Sequence, residues 1–245
     1  SPDALLMFHK VKPDFATGQM SLLQTTFLRD PLRRIPFRIA YEGTEQRYLT
    51  GADFDLESIQ PLADGSFMIG DEFGPFLIHV SANGIVQRVI ETRMDGQVLM
   101  SPDHPALQVA ATPTAGVPFR VRRSGGYEGM ALTPDGQTLW ALLEQPLFAA
   151  NSDQAEGQFL RILEFSVPRM EWTGRTLRYR LEAGATAIGD FNFIGDGDIA
   201  FDDNSCSADV NRKPFSRWKP YEKLVIALVG NDLLCHKAGR AGLCC

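Results

Sequence analysis

The chain has 245 residues, of which 44% are hydrophobic and 22% charged, a balance typical of a globular protein and too apolar for a disordered one. Its net charge of −6 argues against a nucleic-acid partner, which would favour a basic face. Because no apolar run approaches the roughly 18 residues that cross a bilayer, we expect no membrane partner.

Strand and turn signals begin near the first residues of the chain. Residues 5–11 and 21–28 read as two strands around a turn at 13–18, and a polar loop with prolines is predicted for 29–48. No signal peptide is recognisable at Ser1, so a cleaved signal would lie ahead of it.

The stretch 49–80 organises the rest of the sequence. It combines apolar strand positions, acidic residues and an Asp64-Gly65 turn signal. Asn83-Gly84 then predicts a hairpin with a return strand directly after it. Residues 94–126 hold several prolines and are predicted to form an extended connection, a kind of segment that often has a function.

The acidic strand-turn-strand pattern returns twice downstream. Glu57 precedes Asp64 by seven residues, and Glu128 precedes Asp135 by seven residues, with glycine after each Asp. A third copy begins near Ala187, with Asp190 in the place of Glu57. Residues 159–167 and 175–181 are predicted as outer strands of the second copy.

Such repetition of short strands without helix signals is typical of a β-propeller. We predict an all-β, propeller-like fold that is incomplete, with about two full blades and parts of two more. A generic antiparallel sandwich with coincidental Asp-Gly turns is the alternative. The domains predicted are a propeller segment at 1–202 and a divergent, cysteine-containing tail at 203–245.

Repeated acids at equivalent strand positions would converge near a propeller axis. Carboxylates that close resist ionising together, and a hard cation such as calcium removes the conflict. Alternatively, each acid caps a turn or faces solvent. The candidate metal ligands are Asp53, Glu57, Asp71, Glu72, Glu128, Glu144 and Asp190.

Other chemical signals are sparse. His104 lies in the long connection and could reach a site, although the histidines are otherwise expected to be structural. Arg122 and Arg123 could bind an anionic substrate beside the metal, or could form a solvated basic run. No nucleophile elbow is present, so the catalytic residues stay unassigned.

The four cysteines all lie within the tail. Their spacing matches no zinc pattern, which favours incidental or disulfide-bonded cysteines over a metal cluster. The tail lacks an Asp-Gly hairpin and has one strand-like run, at 223–229.

The chain resembles the phytase-like family, described as "esterase-like activity of phytase". The matching phrases are LTGADFDLESIQ, DGSFMIGDEFGPFLIHV, SPDHP, RSGGYEGMALTPDGQTLW, LRILEFSV and AIGDF, which follow one another over about residues 5–200. The resemblance implies a secreted or periplasmic β-propeller hydrolase of phosphate or carboxylic esters. Blades that relatives carry before and after this segment would be missing, or a partner chain would supply them.

Two hypotheses for the function follow. The first is a hydrolase, a calcium-dependent phosphatase or esterase acting on a small-molecule ester, with one acid as base. The second is a non-catalytic binding propeller in which calcium is purely structural.

Overall fold

The computed structural model describes residues 1–107, 119–181, 184–188, 190–194, 198–202 and 225–229. These residues form antiparallel β-sheets, and none of them lies in a helix. The predicted all-β class is therefore correct. Most of the predicted tail, including its cysteines, lies outside the described residues.

The chain begins with a hairpin of strands β1 (Met7–Asp14) and β2 (Gln19–Phe27). Asp14 fixes the turn because its Oδ1 accepts a hydrogen bond of 2.9 Å from the backbone N–H of Ala16. The strand named β15 here (Val225–Val229) pairs antiparallel with the other side of β1, with Met7 opposite Val229. A strand from beyond residue 202 thus covers an edge of the first hairpin.

The loop predicted for 29–48 contains no strand and is tied down by a buried ion pair. Arg47 Nη2 lies 3.1 Å from Asp30 Oδ2, and both side chains are almost fully buried. Asp30 also accepts hydrogen bonds from the backbone N–H groups of Arg34 and Ile35. These bonds order a loop that lacks the backbone hydrogen bonds of paired strands.

The first sheet is a four-stranded meander in the order β3-β4-β5-β6. Asp64-Gly65 and Asn83-Gly84 form turns where the sequence predicts them, with φ of 84° at Gly65 and 74° at Gly84. Its strands are β3 (Leu56–Pro61), β4 (Phe67–Asp71), β5 (Phe76–Val80) and β6 (Val86–Glu91).

The second sheet repeats this meander after a connection that contains the two-residue strands β7 (Arg93–Met94) and β8 (Gln97–Val98). Its order is β12-β11-β10-β9, which again follows the chain without a crossover. Its strands are β9 (Tyr127–Leu132), β10 (Thr138–Leu143), β11 (Phe159–Ser166) and β12 (Glu171–Arg180). A further pair, β13 (Asp190–Ile194) and β14 (Asp198–Asp202), follows at the place of the third repeat.

The first strands of successive units pack side by side, β3 against β9 and β9 against β13. Glycines make this approach possible. A Cβ on Gly70 would lie 2.8 Å from Tyr127 Cβ, and one on Gly129 would lie 2.6 Å from Phe191 Cβ. One apolar cluster spans both large sheets, with Met68 from β4 packed among residues of β9 and β10. This packing brings the acidic ends of the units together.

Candidate functional site: a carboxylate cluster

The two large sheets place their acids at equivalent positions. Glu57 is the second residue of β3, and Glu128 is the second residue of β9. Glu72 follows β4, and its N–H donates to the carbonyl of Asp55, directly ahead of β3, at 2.8 Å. Glu144 follows β10, and its N–H donates in the same way to Gly126, directly ahead of β9, at 2.9 Å. The repeat in the sequence is thus a repeat of backbone geometry.

Glu72 lies at the centre of this group of acids. Its side chain is buried, and burial together with the charges of Glu144, Glu128 and Glu57 raises the pKa of its carboxyl far above the ordinary value. Asp55 contributes to the same effect. The charges that act most strongly on Glu72 are therefore all acidic. We call Asp55, Glu57, Glu72, Glu128 and Glu144 the carboxylate cluster.

Glu128 shares a hydrogen bond with Glu72. Burial and the charges of Glu57 and Glu144 raise the pKa of Glu128, while this bond opposes the rise. A hydrogen bond between two carboxyl groups requires a proton on one of them. Burial and the neighbouring acids therefore favour a proton shared by this pair.

The carboxylate cluster runs from the interior to the surface. Glu72 is 5% exposed, Glu128 and Glu144 are half-buried, and Glu57 is exposed. Burial raises the pKa of Glu144, whose Oε2 accepts a hydrogen bond of 3.0 Å from the Gln145 amide. Solvent thus reaches one side of the cluster, while low dielectric surrounds the other.

Of the other three predicted ligands, Asp53 and Asp71 bind backbone N–H groups, and the side chain of Asp190 lies outside the described part of the chain. Asp53 accepts hydrogen bonds from Ala40 and Thr50, so it braces the loop before β3. Asp71 is fully buried and accepts from the N–H groups of Asp55 and Gly74. Burial still raises the pKa of Asp71 to about 7. The backbone of Asp190 begins β13 beside β9, and its side chain lies outside the described part of the chain.

The predicted anion-binding residues make mostly structural contacts. Arg122 donates from Nε to the carbonyl of Pro146 at 3.0 Å and stacks on Phe148. Arg123 forms an ion pair with Asp103. Arg122 and Arg123 also lie only three to four residues ahead of Gly126, where an added Cβ would be 2.5 Å from Glu72 Cα. Their segment therefore reaches the carboxylate cluster.

His104 is buried against Phe76, with ring centroids 5.1 Å apart. Its Nδ1 accepts a hydrogen bond from the backbone N–H of Ala106, and burial lowers the pKa of the ring. Its Nε2 has no partner among the residues that the structure describes. The imidazole is thus neutral and carries its proton on Nε2.

Sequence reasoning missed Asp55, although the signal was present. Asp53, Asp55 and Glu57 alternate, and alternate residues of a strand share a face. The regular pleat begins only at Leu56, so Asp55 stays beside Glu57 while Asp53 falls in the preceding turn.

The donor chemistry of the carboxylate cluster suits a hard cation. It offers carboxylate oxygens, which calcium prefers as ligands. Among the residues that the structure describes, the charges that act most strongly on Glu72 include no cationic side chain. Across the described ranges, however, no group of three or more His, Cys, Asp or Glu side chains is placed to hold a metal ion. The fit of calcium rests on ligand chemistry alone.

The architecture and the repeated acids define a class of all-β proteins built from sequential antiparallel meanders. The model of the phytase-like family, described as "esterase-like activity of phytase", matches residues 1–203. The chain belongs to this family.

Other comparisons add little. No curated protein matches the chain. A solved structure titled "Structure of U3-55K" matches with 14% identity and a TM-score of 0.24, covering 57% of this chain and 42% of that one. This chain thus spans less than half of that structure, and so low a TM-score supports no argument about fold. No helix in the described residues is long and apolar enough to cross a membrane.

Proposed function

We propose that the chain is part of a β-propeller hydrolase that cleaves small-molecule phosphate or carboxylic esters with the help of calcium, in the periplasm or outside the cell. The family match supports a hydrolase. The two sequential meanders would be two blades, and the pairs β1–β2 and β13–β14 would belong to two more.

The observation that carries this proposal is the convergence of the carboxylate cluster. Four acids predicted from repeated positions interact in space, and the charges of Glu57 and Glu144 raise the pKa of both Glu72 and Glu128 in a partly buried setting. Such an arrangement costs folding free energy unless a cation or a proton neutralises it. Perturbed carboxyls in a partly open site are more typical of function than of structural support.

Each acid has a distinct role in this proposal. Glu72, Glu128 and Glu144 are not placed to hold an ion as they stand, so their side chains would shift to bind calcium, and the exposed Glu57 would complete the set from the solvent side. Calcium, when bound, would neutralise the acids and withdraw electron density from a phosphoryl or carbonyl oxygen. One acid of the cluster, once ionised, would accept the proton of an attacking water.

Substrate binding would use the segment of Arg122 and Arg123, which leads to Gly126 beside Glu72. The terminal guanidinium nitrogens of Arg122 would bind an anionic group, since in the described part of the chain only its Nε donates a hydrogen bond, to Pro146. Arg123 would contribute charge despite its ion pair with Asp103. His104 would donate a hydrogen bond from Nε2 to the substrate.

The test is the hydrolysis of p-nitrophenyl phosphate and p-nitrophenyl acetate, with and without calcium. We expect turnover of at least one ester that rises with calcium and falls at least 100-fold in Glu128→Gln. Glu171→Gln is the matched control, because Glu171 lies on β12 and pairs only with Arg169 at the surface. Absence of turnover at every calcium concentration would contradict the proposal for this chain.

The second candidate is a binding propeller in which calcium is structural. It is favoured by Ser58, whose Oγ donates to the carbonyl of Tyr127 at 2.9 Å and so lacks the base that a nucleophile needs. Calcium would then raise the thermal stability, and Glu57→Gln would reduce that gain, without turnover of any ester. Calcium-dependent turnover that Glu128→Gln abolishes without unfolding would rule this candidate out.

A further inference from the structure

Strands β11 and β12 of the second sheet and the turn between them carry five arginines, and three of these form ion pairs with acids in the described structure. Arg178 and Arg180, both on β12, have no ion-pair partner among the residues that the structure describes. The three pairs are Arg161 with Glu156, Arg169 with Glu171, and Arg175 with Glu164. The two unpaired charges are therefore confined to one end of the edge strand.

These two arginines line a surface cavity of about 440 Å³, together with Gln158 and Phe159. No acidic side chain is among the four lining residues. The cavity thus presents two guanidinium groups, one amide and an aromatic face. The two guanidinium groups and the amide N–H groups are hydrogen-bond donors that suit an anion.

The strand register explains why the donors converge. Phe159 of β11 lies opposite Arg180, and Arg178 lies two residues away on the same face of β12. The guanidinium carbon of Arg178 is 4.6 Å from the centre of the Phe159 ring. Stacking on this ring restrains the side chain, so less freedom is lost when the guanidinium binds a ligand.

Among the arginines that the structure describes around the cavity, only the charge of Arg161 is neutralised by an acid. Arg161 lies opposite Arg178, and its charge is taken up by Glu156, whose oxygens lie 2.6 Å and 2.9 Å from Arg161 nitrogens. Arg178 and Arg180 have no such neutralisation in the described structure. Like charges on neighbouring positions of one strand face repel each other, and a bound anion would relieve that repulsion.

We propose that the cavity of Gln158, Phe159, Arg178 and Arg180 binds a phosphate-type oxyanion, either free phosphate or the phosphate group of a small ester. Arginine forks match the oxygens of phosphate in a bidentate manner. The cavity lies on β12, three strands from β9, or about 14 Å at the usual strand spacing. It is thus separate from the carboxylate cluster, and the inference does not depend on hydrolase activity.

The test is calorimetric titration of the full chain with inorganic phosphate and, separately, with glycerol phosphate, without calcium and at constant ionic strength. We expect saturable binding that weakens at least tenfold in the double variant Arg178→Ala/Arg180→Ala. Arg169→Ala is the matched control, since its arginine lies outside the cavity and it should bind within twofold of the unmodified chain. Tighter binding of one ligand would identify free phosphate or a phosphate ester as the natural source.

A charge-preserving variant covers the case in which the alanine variant fails to fold. Arg178→Lys/Arg180→Lys keeps the net charge but loses the fork and the stacking, and we expect binding at least threefold weaker. No saturable phosphate binding by the unmodified chain would overturn the inference. So would equal loss in Arg169→Ala, because the arginines would then act only as general surface charge that protects an edge strand.

Discussion

At the scale of single residues, Glu72 sets the properties of the carboxylate cluster. In the unfolded chain the Glu72 carboxyl has its ordinary pKa and ionises once the pH exceeds that value. The folded chain keeps the carboxyl protonated to a much higher pH. The folded state therefore binds more protons, and stability is lost as the pH rises from about 4.5 toward the raised pKa.

Replacing Glu72 with glutamine removes this penalty. In calcium-free buffer at pH 8 we expect Glu72→Gln to raise the free energy of unfolding by at least about 1 kcal/mol, with the gain vanishing near pH 4 to 5. Urea unfolding at the two pH values measures it. Glu171→Gln should change little at either pH. A loss of stability at pH 8 would show that Glu72 gains more from its partners than it loses by burial.

A second prediction for a single residue concerns Arg47, which forms a buried ion pair with Asp30. Removing one partner of a buried ion pair leaves the other charge without compensation, so Arg47→Ala should cost about 3–5 kcal/mol. Arg33→Ala is the control, because Arg33 pairs with the same loop residue Glu42 at the surface and should cost less than about 1 kcal/mol. Similar unfolding midpoints for the two variants would contradict the structural role of the Asp30–Arg47 pair.

At the scale of elements, close approach at Gly126 joins the second sheet to the carboxylate cluster. An added Cβ would lie 2.5 Å from Glu72 Cα and 2.7 Å from the carbonyl oxygen of Asp71. Gly126→Ala should therefore cost about 1–3 kcal/mol through overpacking. Gly43→Ala meets no atom within 4 Å and is the matched control. Equal stability in chemical denaturation would contradict the packing at Gly126.

The elements were predictable where local chemistry determines them. Asp64-Gly65, Asn83-Gly84 and Asp135-Gly136 all form turns, because glycine alone tolerates their positive φ easily. The pairing of β15 with β1 was not predictable, since it joins residues more than 200 positions apart. Sequence repetition pointed to four acids that interact in the carboxylate cluster, and their role as metal ligands stays a prediction. It could not separate Asp53, whose hydrogen bonds depend on the loop of Ala40.

At the scale of the whole molecule, the division at residue 202 stays a prediction. Limited proteolysis should cleave first between residues 202 and 217 and leave a resistant N-terminal piece. The paired strand β15 should be protected longer than the residues on either side of it, because its backbone bonds to β1. Protection of the whole tail equal to that of residues 53–145 would show that the tail is an integrated part of the fold.

The exposed face of β2 bears on the proposed incomplete propeller. This strand lies at a sheet edge and exposes Met20, Leu22 and Leu23. Exposed apolar edge strands promote association. An incomplete ring would therefore aggregate or require further blades, from the same protein or from a partner chain.

Calcium binding by the carboxylate cluster is the central claim, and proton release measures it most directly. Burial and like charge raise the pKa of both Glu72 and Glu128, so we expect calcium to displace a proton from this pair at pH 7. Calorimetric titration with calcium in buffers of different ionisation enthalpy should show release of about one proton for each ion bound. Glu128→Gln should weaken this binding, and Glu171→Gln should not. Calcium binding without proton release, or no calcium binding at all, would contradict the account.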